Sequence, residues 1–188
     1  MYAKDDLNFD RLPQFELRNS AEFNVMWSRI KLQGHVIYSC FVYRSPNFPK
    51  EDTLIEFDHL SDSVDEILRL SPEAEITFAG DFNAHNVQWL QFSNRTDDVG
   101  LCVETFSVLN DLTQLMDKPT RIPDKKGQDP HLLDLFLTSH PDKYSVAVNS
   151  PLGGSDHCLV STSFRFNCLA PNRVEIPKRD VCHFKEAQ

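Results

Sequence analysis

An α+β sandwich, rather than a doubly wound parallel sheet, is the fold class that this sequence predicts. Three observations lead there. Strand-like and helix-like segments alternate along most of the chain, and a run of strands without intervening helices closes it. A short apolar strand, Glu75-Ile76-Thr77-Phe78-Ala79, passes directly into the polar stretch Gly80-Asp81-Phe82-Asn83-Ala84-His85. The 188 residues are 40% hydrophobic and include 14 phenylalanines, enough apolar material for one core.

Residues 23–30 and 35–43 read as strands joined by a turn at Gln33-Gly34, and so predict an antiparallel pair. A helix over 51–70 follows, with Leu54, Phe57, Leu60, Val64 and Ile67 at helical spacing and Ser71-Pro72 as its stop. It covers one sheet face. The strand 75–79 comes next and gives way at Gly80 to the polar loop. A second helix over 98–110 has Leu101, Thr105 and Val108 or Leu109 inward, 112–116 is a short strand, and 117–130 is loop, rich in Pro, Gly, Asp and Lys. Strands over 131–137, 144–148 and 158–166 complete a domain that occupies residues 1–166. Residues 167–188 carry Pro171, Pro177 and many charges with little periodicity, and read as a linker or tail.

A net charge of -9 directs the chain away from generic binding to a polyanion. Nucleic-acid contact then needs a local basic surface and a metal. Between Glu51 and Asp81, ten carboxylates face the single base Arg69, which reads as the solvated face of a helix. Lys118, Arg121, Lys125 and Lys126 gather in the later loop, where DNA contact and a solubilising role carry equal weight. The cysteines, Cys40, Cys102, Cys158, Cys168 and Cys182, are odd in number and have no CxxC spacing. They read as reduced residues of an intracellular protein, nuclear or cytoplasmic, rather than as disulfides or zinc ligands. The N-terminus is charged and no apolar run approaches the roughly 18 residues of a membrane span.

Three segments place ionisable residues in or beside apolar runs: Gly80 to His85, Leu133 to Ser139, and Gly154 to Val160. A carboxylate within a strand core is costly unless paired, so Asp134 needs a partner, and His157 is the candidate. Such an aspartate fixes the imidazole tautomer and stabilises its cation, leaving the other nitrogen to face a substrate. The Asp81 carboxylate suits orienting or deprotonating a water, and the Asn83 amide suits donation to an oxyanion or phosphoryl oxygen. No serine or cysteine motif offers a covalent route, so the set suits hydrolysis by water, with a phosphodiester as the natural substrate.

Taken singly, Asp156-His157 is an ordinary loop turn, and Asp81 and Asn83 cap a turn after a strand. Their coincidence favours chemistry. His85 either contacts substrate or closes the loop, with the structural role favoured; Trp89 packs in the core or shapes a cleft wall. Tyr43 is an aromatic at a strand end, commonly a packing position, and His131 reads as a solvent-facing strand residue.

The ordered segments GDFNAH, LLDLFLTS and GGSDHCLVS resemble the endonuclease/exonuclease/phosphatase superfamily, and within it the endonuclease domain of jockey-type non-LTR retrotransposons, which precedes a reverse transcriptase. The stretch Cys40-Phe41-Val42-Tyr43-Arg44-Ser45-Pro46-Asn47 also resembles a family strand and loop bearing a phosphate-contacting tyrosine. The resemblance implies a four-layered α/β sandwich and a metal-dependent endonuclease acting on DNA. It implies that Asp81 orients or activates the water, Asn83 contacts the scissile phosphate, His157 stabilises the pentacovalent transition state and Asp134 holds His157. Asp156 would lie beside the divalent metal, directly or through water, and Tyr43 would contact the phosphate. Mg²⁺, or Mn²⁺, is the implied ion, because hard oxygen ligands and a phosphate substrate suit it. A reverse transcriptase module is an implied neighbour in full-length relatives, although nothing in these residues resembles a polymerase.

The family normally opens with a strand ending in an asparagine and a strand whose glutamate is the main metal ligand. Neither motif is found. Met1 to Leu7 resembles the strand that follows them, and Asn8, Asn19, Asn24, Glu16 and Glu22 do not sit in matching contexts. The expectation is therefore a sandwich lacking its first strands, with an uncovered apolar face and sheet edge. Its endonuclease activity is expected to be impaired by the missing ligand. A non-catalytic binding or scaffolding remnant is the alternative, and a phosphatase or sphingomyelinase branch is a weaker one.

Overall fold

In the computed structural model, residues 7–16, 21–32, 34–123 and 127–165 are described. In chain order the elements are β1 (Asn8–Arg11), β2 (Phe23–Leu32), β3 (His35–Arg44), α1 (Lys50–Leu70), β4 (Glu75–Asp81), α2 (Asp98–Leu109), β5 (Thr113–Gln114), β6 (Asp134–Thr138), β7 (Tyr144–Pro151) and β8 (Cys158–Phe164). Short 3-10 turns at Pro13–Phe15 and Pro141–Lys143 precede β2 and β7. Six strands form a mixed sheet in the order β1-β2-β3-β4-β6-β5, in which β3 and β4 run parallel and the other neighbours antiparallel. A separate antiparallel ladder joins β7 to β8.

Period-two alternation sorts the large sheet into two faces. Val25, Trp27, Cys40, Val42, Phe78, Leu135 and Leu137 point one way and are buried under α1 and α2. Phe106 of α2 is the hub of that contact, with ring centroids 5.1 Å from Phe57 of α1 and 5.0 Å from Phe78 of β4. Aromatic pairs at this spacing add to the burial of their area. Met26, Phe41, Ala79 and Phe136 share a register row on the opposite face, where Tyr144 of β7 stacks 5.2 Å from Phe136. The Lys143 ammonium donates to Oε1 of the buried Glu75 at 2.6 Å, so an ion pair also ties the small ladder to the large sheet. Between β8 and the far half of this face lies an open groove of about 620 Å³, lined by Met26, Phe41, Phe136 and Val160 among others.

Several details differ from the sequence reading. Helix α2 buries Val99, Val103, Phe106 and Ser107, whereas Leu101, Thr105, Val108 and Leu109 are exposed. Its phase follows the Phe106 aromatic contacts rather than the count of leucines. On α1, Leu54 is exposed and Thr53 is buried in its place, where its hydroxyl accepts from the Arg44 guanidinium at 3.1 Å. Strand β4 runs to Asp81 because both neighbours continue to pair with it there. The strand expected over 112–116 shrinks to Thr113–Gln114, and β6 begins at Asp134, so His131 makes an isolated bridge to Arg121 instead of standing in a strand. Strand β1 was not foreseen.

Cys40, Cys102 and Cys158 are free thiols. No described helix is long and apolar enough to cross a membrane. The readings on residues 1–6, Asn19, Gln33, Lys125, Lys126, Cys168, Cys182 and the 167–188 tail lie outside the described residues.

Gly80 has φ +142°, and a Cβ on it would lie 1.9 Å from the Val42 carbonyl oxygen. That oxygen belongs to the neighbouring backbone and cannot swing aside. Gly80→Ala is expected to destabilise the fold by about 3 kcal/mol, read from the shift of a urea unfolding midpoint.

Candidate active site

Strand register builds the site. Asn24 of β2 stands opposite Tyr43 of β3, Tyr43 opposite Asp81 of β4, and Asp81 opposite Asp134 of β6. These four side chains therefore share a face at one end of the sheet. His157, just ahead of β8, completes the group: single ligand atoms of Asp81, Asp134 and His157 all lie within 4.8 Å of one another. Nδ1 of His157 is 2.9 Å from Oδ2 of Asp134. With Asp134 ionised, that nitrogen carries the proton and donates, which leaves Nε2 as the free position of the ring.

Thr120 determines how Asp134 meets His157. It is fully buried, and its hydroxyl oxygen accepts the backbone N–H groups of Leu133 at 3.1 Å and Asp134 at 2.9 Å. Its own carbonyl accepts from the Cys158 N–H at 2.7 Å. One residue thus joins the start of β6 to the start of β8. Sequence reasoning placed Thr120 in an anonymous loop. Its one signal is a residue of low polarity between Pro119 and Arg121 in an otherwise charged segment.

Burial, and then the neighbouring Asp134 charge, push the Asp81 carboxyl from 3.8 up to about 6; His157 and the hydrogen bonds from Asn83 pull the other way. Asn83 adopts φ 46°, a left-handed conformation that asparagine tolerates better than most residues. Its N–H donates to Asp81 Oδ1 at 3.2 Å, and its Nδ2 donates to the Arg44 carbonyl at 2.8 Å. The second amide hydrogen is left for a ligand.

The rest of the loop is clamped by α2. Asp97 caps that helix by accepting from the Gly100 N–H at 2.7 Å, and the same Oδ1 accepts from the His85 N–H at 3.2 Å. The Asp97 N–H in turn donates to the His85 carbonyl at 3.0 Å. Gly100 is required at this approach, because a Cβ would sit 1.9 Å from that carbonyl. The His85 ring is buried edge-on to His131, with centroids 5.4 Å apart, and His131 is itself held by the Phe92 carbonyl at 3.1 Å. Burial first, and then the nearby Arg95 charge, hold the His85 imidazole below its ordinary pKa. Trp89 packs against the core.

Asp156 lies outside the group formed by Asp81, Asp134 and His157. The Asp156 carboxylate accepts from Nε of Arg121 at 2.8 Å, and this guanidinium keeps it below the usual carboxylate range. Tyr43 keeps its register beside Asp81, with a side chain open to solvent.

A mixed sheet under two helices, a second ladder on its other face and a carboxylate–imidazole cluster at the strand ends define an α+β fold of the endonuclease/exonuclease/phosphatase type. The endonuclease domain of TRAS1, a telomere-specific non-LTR retrotransposon, superposes with a TM-score of 0.67 at 21% identity, over 87% of this chain and 71% of that one. Truncated Caenorhabditis elegans TDP2 gives 0.54 at 18% identity, over 85% of this chain and 66% of that one. D. rerio TDP2 complexed with a single-strand DNA product gives 0.54 at 11% identity, over 83% of this chain and 67% of that one. The chain thus spans about two-thirds of the length of these structures. No curated protein matches it by sequence. Residues 37–161, more than half of the chain, match the sequence profile of the family described as "Endonuclease-reverse transcriptase", and the chain belongs to that family.

In metal-free protein, an NMR titration of the Asp81 side-chain carbonyl is expected to show a midpoint near 6. Asp134→Asn should move it down toward 3.8, because the like charge is gone while the burial stays. The folded state favours the protonated acid, so this carboxyl's contribution to stability is complete below 3.8 and is lost as the pH rises through about 6.

Proposed function

We propose that this chain is a metal-dependent endonuclease domain that hydrolyses DNA phosphodiester bonds by attack of water. The observation that carries the reading is the convergence of Asp81, Asp134 and His157 within 4.8 Å, with Asn83 on the adjoining turn. Asp81 orients or deprotonates the water, and Asn83 donates its remaining amide hydrogen to the scissile phosphate. His157, in its protonated form paired with Asp134, donates its Nε2–H to the phosphoryl oxygens as negative charge builds on them in the pentacovalent transition state. Tyr43, beside Asp81 and open to solvent, is placed to contact the same phosphate.

The donor set suits a hard divalent cation. Burial, and then the neighbouring Asp134 charge, raise the Asp81 carboxyl to about 6, and a bound cation would offset both effects. Mg²⁺ typically takes one or two carboxylates together with substrate phosphate and water. Asp81 and Asp134 would hold it, and Asp156 would join directly or through water from its exposed position beside Arg121. When bound, Mg²⁺ or Mn²⁺ supplies charge neutralisation at the phosphoryl oxygens. The described cluster offers this ion two carboxylates and an imidazole, and the proposed activity is an impaired one, with slow turnover.

DNA is the partner of choice because a retrotransposon endonuclease and a DNA-bound TDP2 share this fold. The domain is assigned to residues 1–166, with 167–188 leading toward a reverse transcriptase module in longer relatives.

Nicking of supercoiled plasmid tests the reading. The chain is expected to nick slowly with Mg²⁺ and not in EDTA, and Asp81→Ala or His157→Ala is expected to cost roughly 100-fold or more in rate. A folded chain that nicks nothing would leave the alternative, a binding or scaffolding module.

A further inference from the structure

Two polar recesses, of about 420 and 270 Å³, share the wall formed by Pro46, Asn83, His85 and Arg95, and so make one trough running past Asn83. Arg121 lies at one end and Arg44 at the other. Two observations there call for an anion. Arg44 is 3% exposed, and its guanidinium is held by neutral groups: Nε donates to the Thr53 hydroxyl at 3.1 Å and Nη2 to the Phe48 carbonyl at 2.7 Å. Among the described residues no carboxylate lies within ion-pair distance of it; Asp97 and Asp81 act on it only from farther off, and burial outweighs them, holding the guanidinium below its ordinary pKa. The second is His85, 7% exposed, whose Nδ1 has no hydrogen-bond partner.

Two of the three carboxylates along the trough are already engaged. Asp97 caps α2 and lies 3.8 Å from Arg95, and Asp98 pairs with Lys50 at 3.0 Å. Asp129 remains on the rim of the larger recess. Arg95 itself is largely exposed and free to turn inward, since its contact with Asp97 is long.

We propose that this trough is a subsite for a backbone phosphate flanking the scissile bond, seated where Arg44 lines the smaller recess and clasped by Arg95. Asn83 links the two positions, because the amide assigned to the scissile phosphate is anchored on the Arg44 carbonyl. The inference rests on the reading that Asp81, Asn83, Asp134 and His157 act on a DNA strand. It goes further by assigning the neighbouring phosphate to residues that the chemistry does not use. A guanidinium fork suits this task because it matches two phosphate oxygens at once.

The test is fluorescence anisotropy with a short labelled deoxythymidine oligonucleotide in EDTA, which prevents cleavage. Arg95→Gln is expected to weaken binding about 10-fold and to reduce the salt slope by about one. Arg44→Gln, checked for folding by circular dichroism, is expected to act in the same direction, while Arg69→Gln on the distant face of α1 binds like the wild type. His157→Ala is expected to keep binding while losing nicking. If the wild type binds and both trough variants match it in affinity and slope, the subsite is overturned while the catalytic reading, judged by nicking, stands. If the wild type binds no oligonucleotide the subsite falls, and if it also nicks no plasmid the catalytic reading falls with it.

Discussion

The absence of a side chain at Gly80 is the constraint on which the site depends. Only there can β4 lie against the Val42 carbonyl closely enough for the parallel pairing with β3 to continue to Asp81. On its other side the antiparallel pairing with β6 reaches the same residue, so Asp81 is gripped by strands on both flanks. A carboxylate at the tip of a loop would be free to turn toward water. In a central strand its backbone is fixed, and the cost of aiming it has been met by the folding of the sheet.

That placement sets two acids side by side, an arrangement that stability alone does not favour. Burial first, and then the Asp134 charge, raise the Asp81 carboxyl to about 6, while the Asp134 carboxylate is paired with His157 and its backbone is held by the two N–H bonds that Thr120 accepts. The surrounding scaffold over-determines the position of each acid, which is how a strained charge distribution survives in a folded protein. Perturbed carboxyls with a specific charged partner gather at functional sites for this reason. On the proposed reading, a cation bound at the cluster would offset the repulsion between the two acids.

The sequence disclosed this arrangement unevenly. Strands β2, β3 and β4 and helix α1 were legible because burial imposes a period on neighbouring residues. The phase of α2 was not, because Leu101, Val108 and Leu109 outnumber the aromatic contacts that orient it, and those contacts reach Phe57 and Phe78 across long separations. Asp81, Asn83, Asp134 and His157 stood out as polar residues set against apolar runs. Thr120, Asp97 and Gly100 did not, since each acts by joining segments that only the fold brings together. Tyr43 lies between these cases: its strand could be read, but its alignment with Asp81 is a matter of register, which a single strand does not encode.

The excess negative charge, which argues against DNA when summed over the chain, has a different meaning once it is sorted by layer. Its densest part, from Glu51 to Glu66, lies on α1, which covers the sheet face opposite to the one that carries Tyr43, Asp81 and Asp134. Arg95 and Arg121 instead sit on loops around the site, and Arg44, whose side chain turns toward the start of α1, lies at the same strand end. Screening in physiological salt confines each charge to a range of about 8 Å, so a strand at the loops senses the arginines far more than the distant end of the helix. On the proposed reading, the acidic layer would repel a polyanion from one side of the molecule and the arginines would receive it at the other. Overall charge would then slow the encounter, while its distribution would favour the orientation that the proposed chemistry needs.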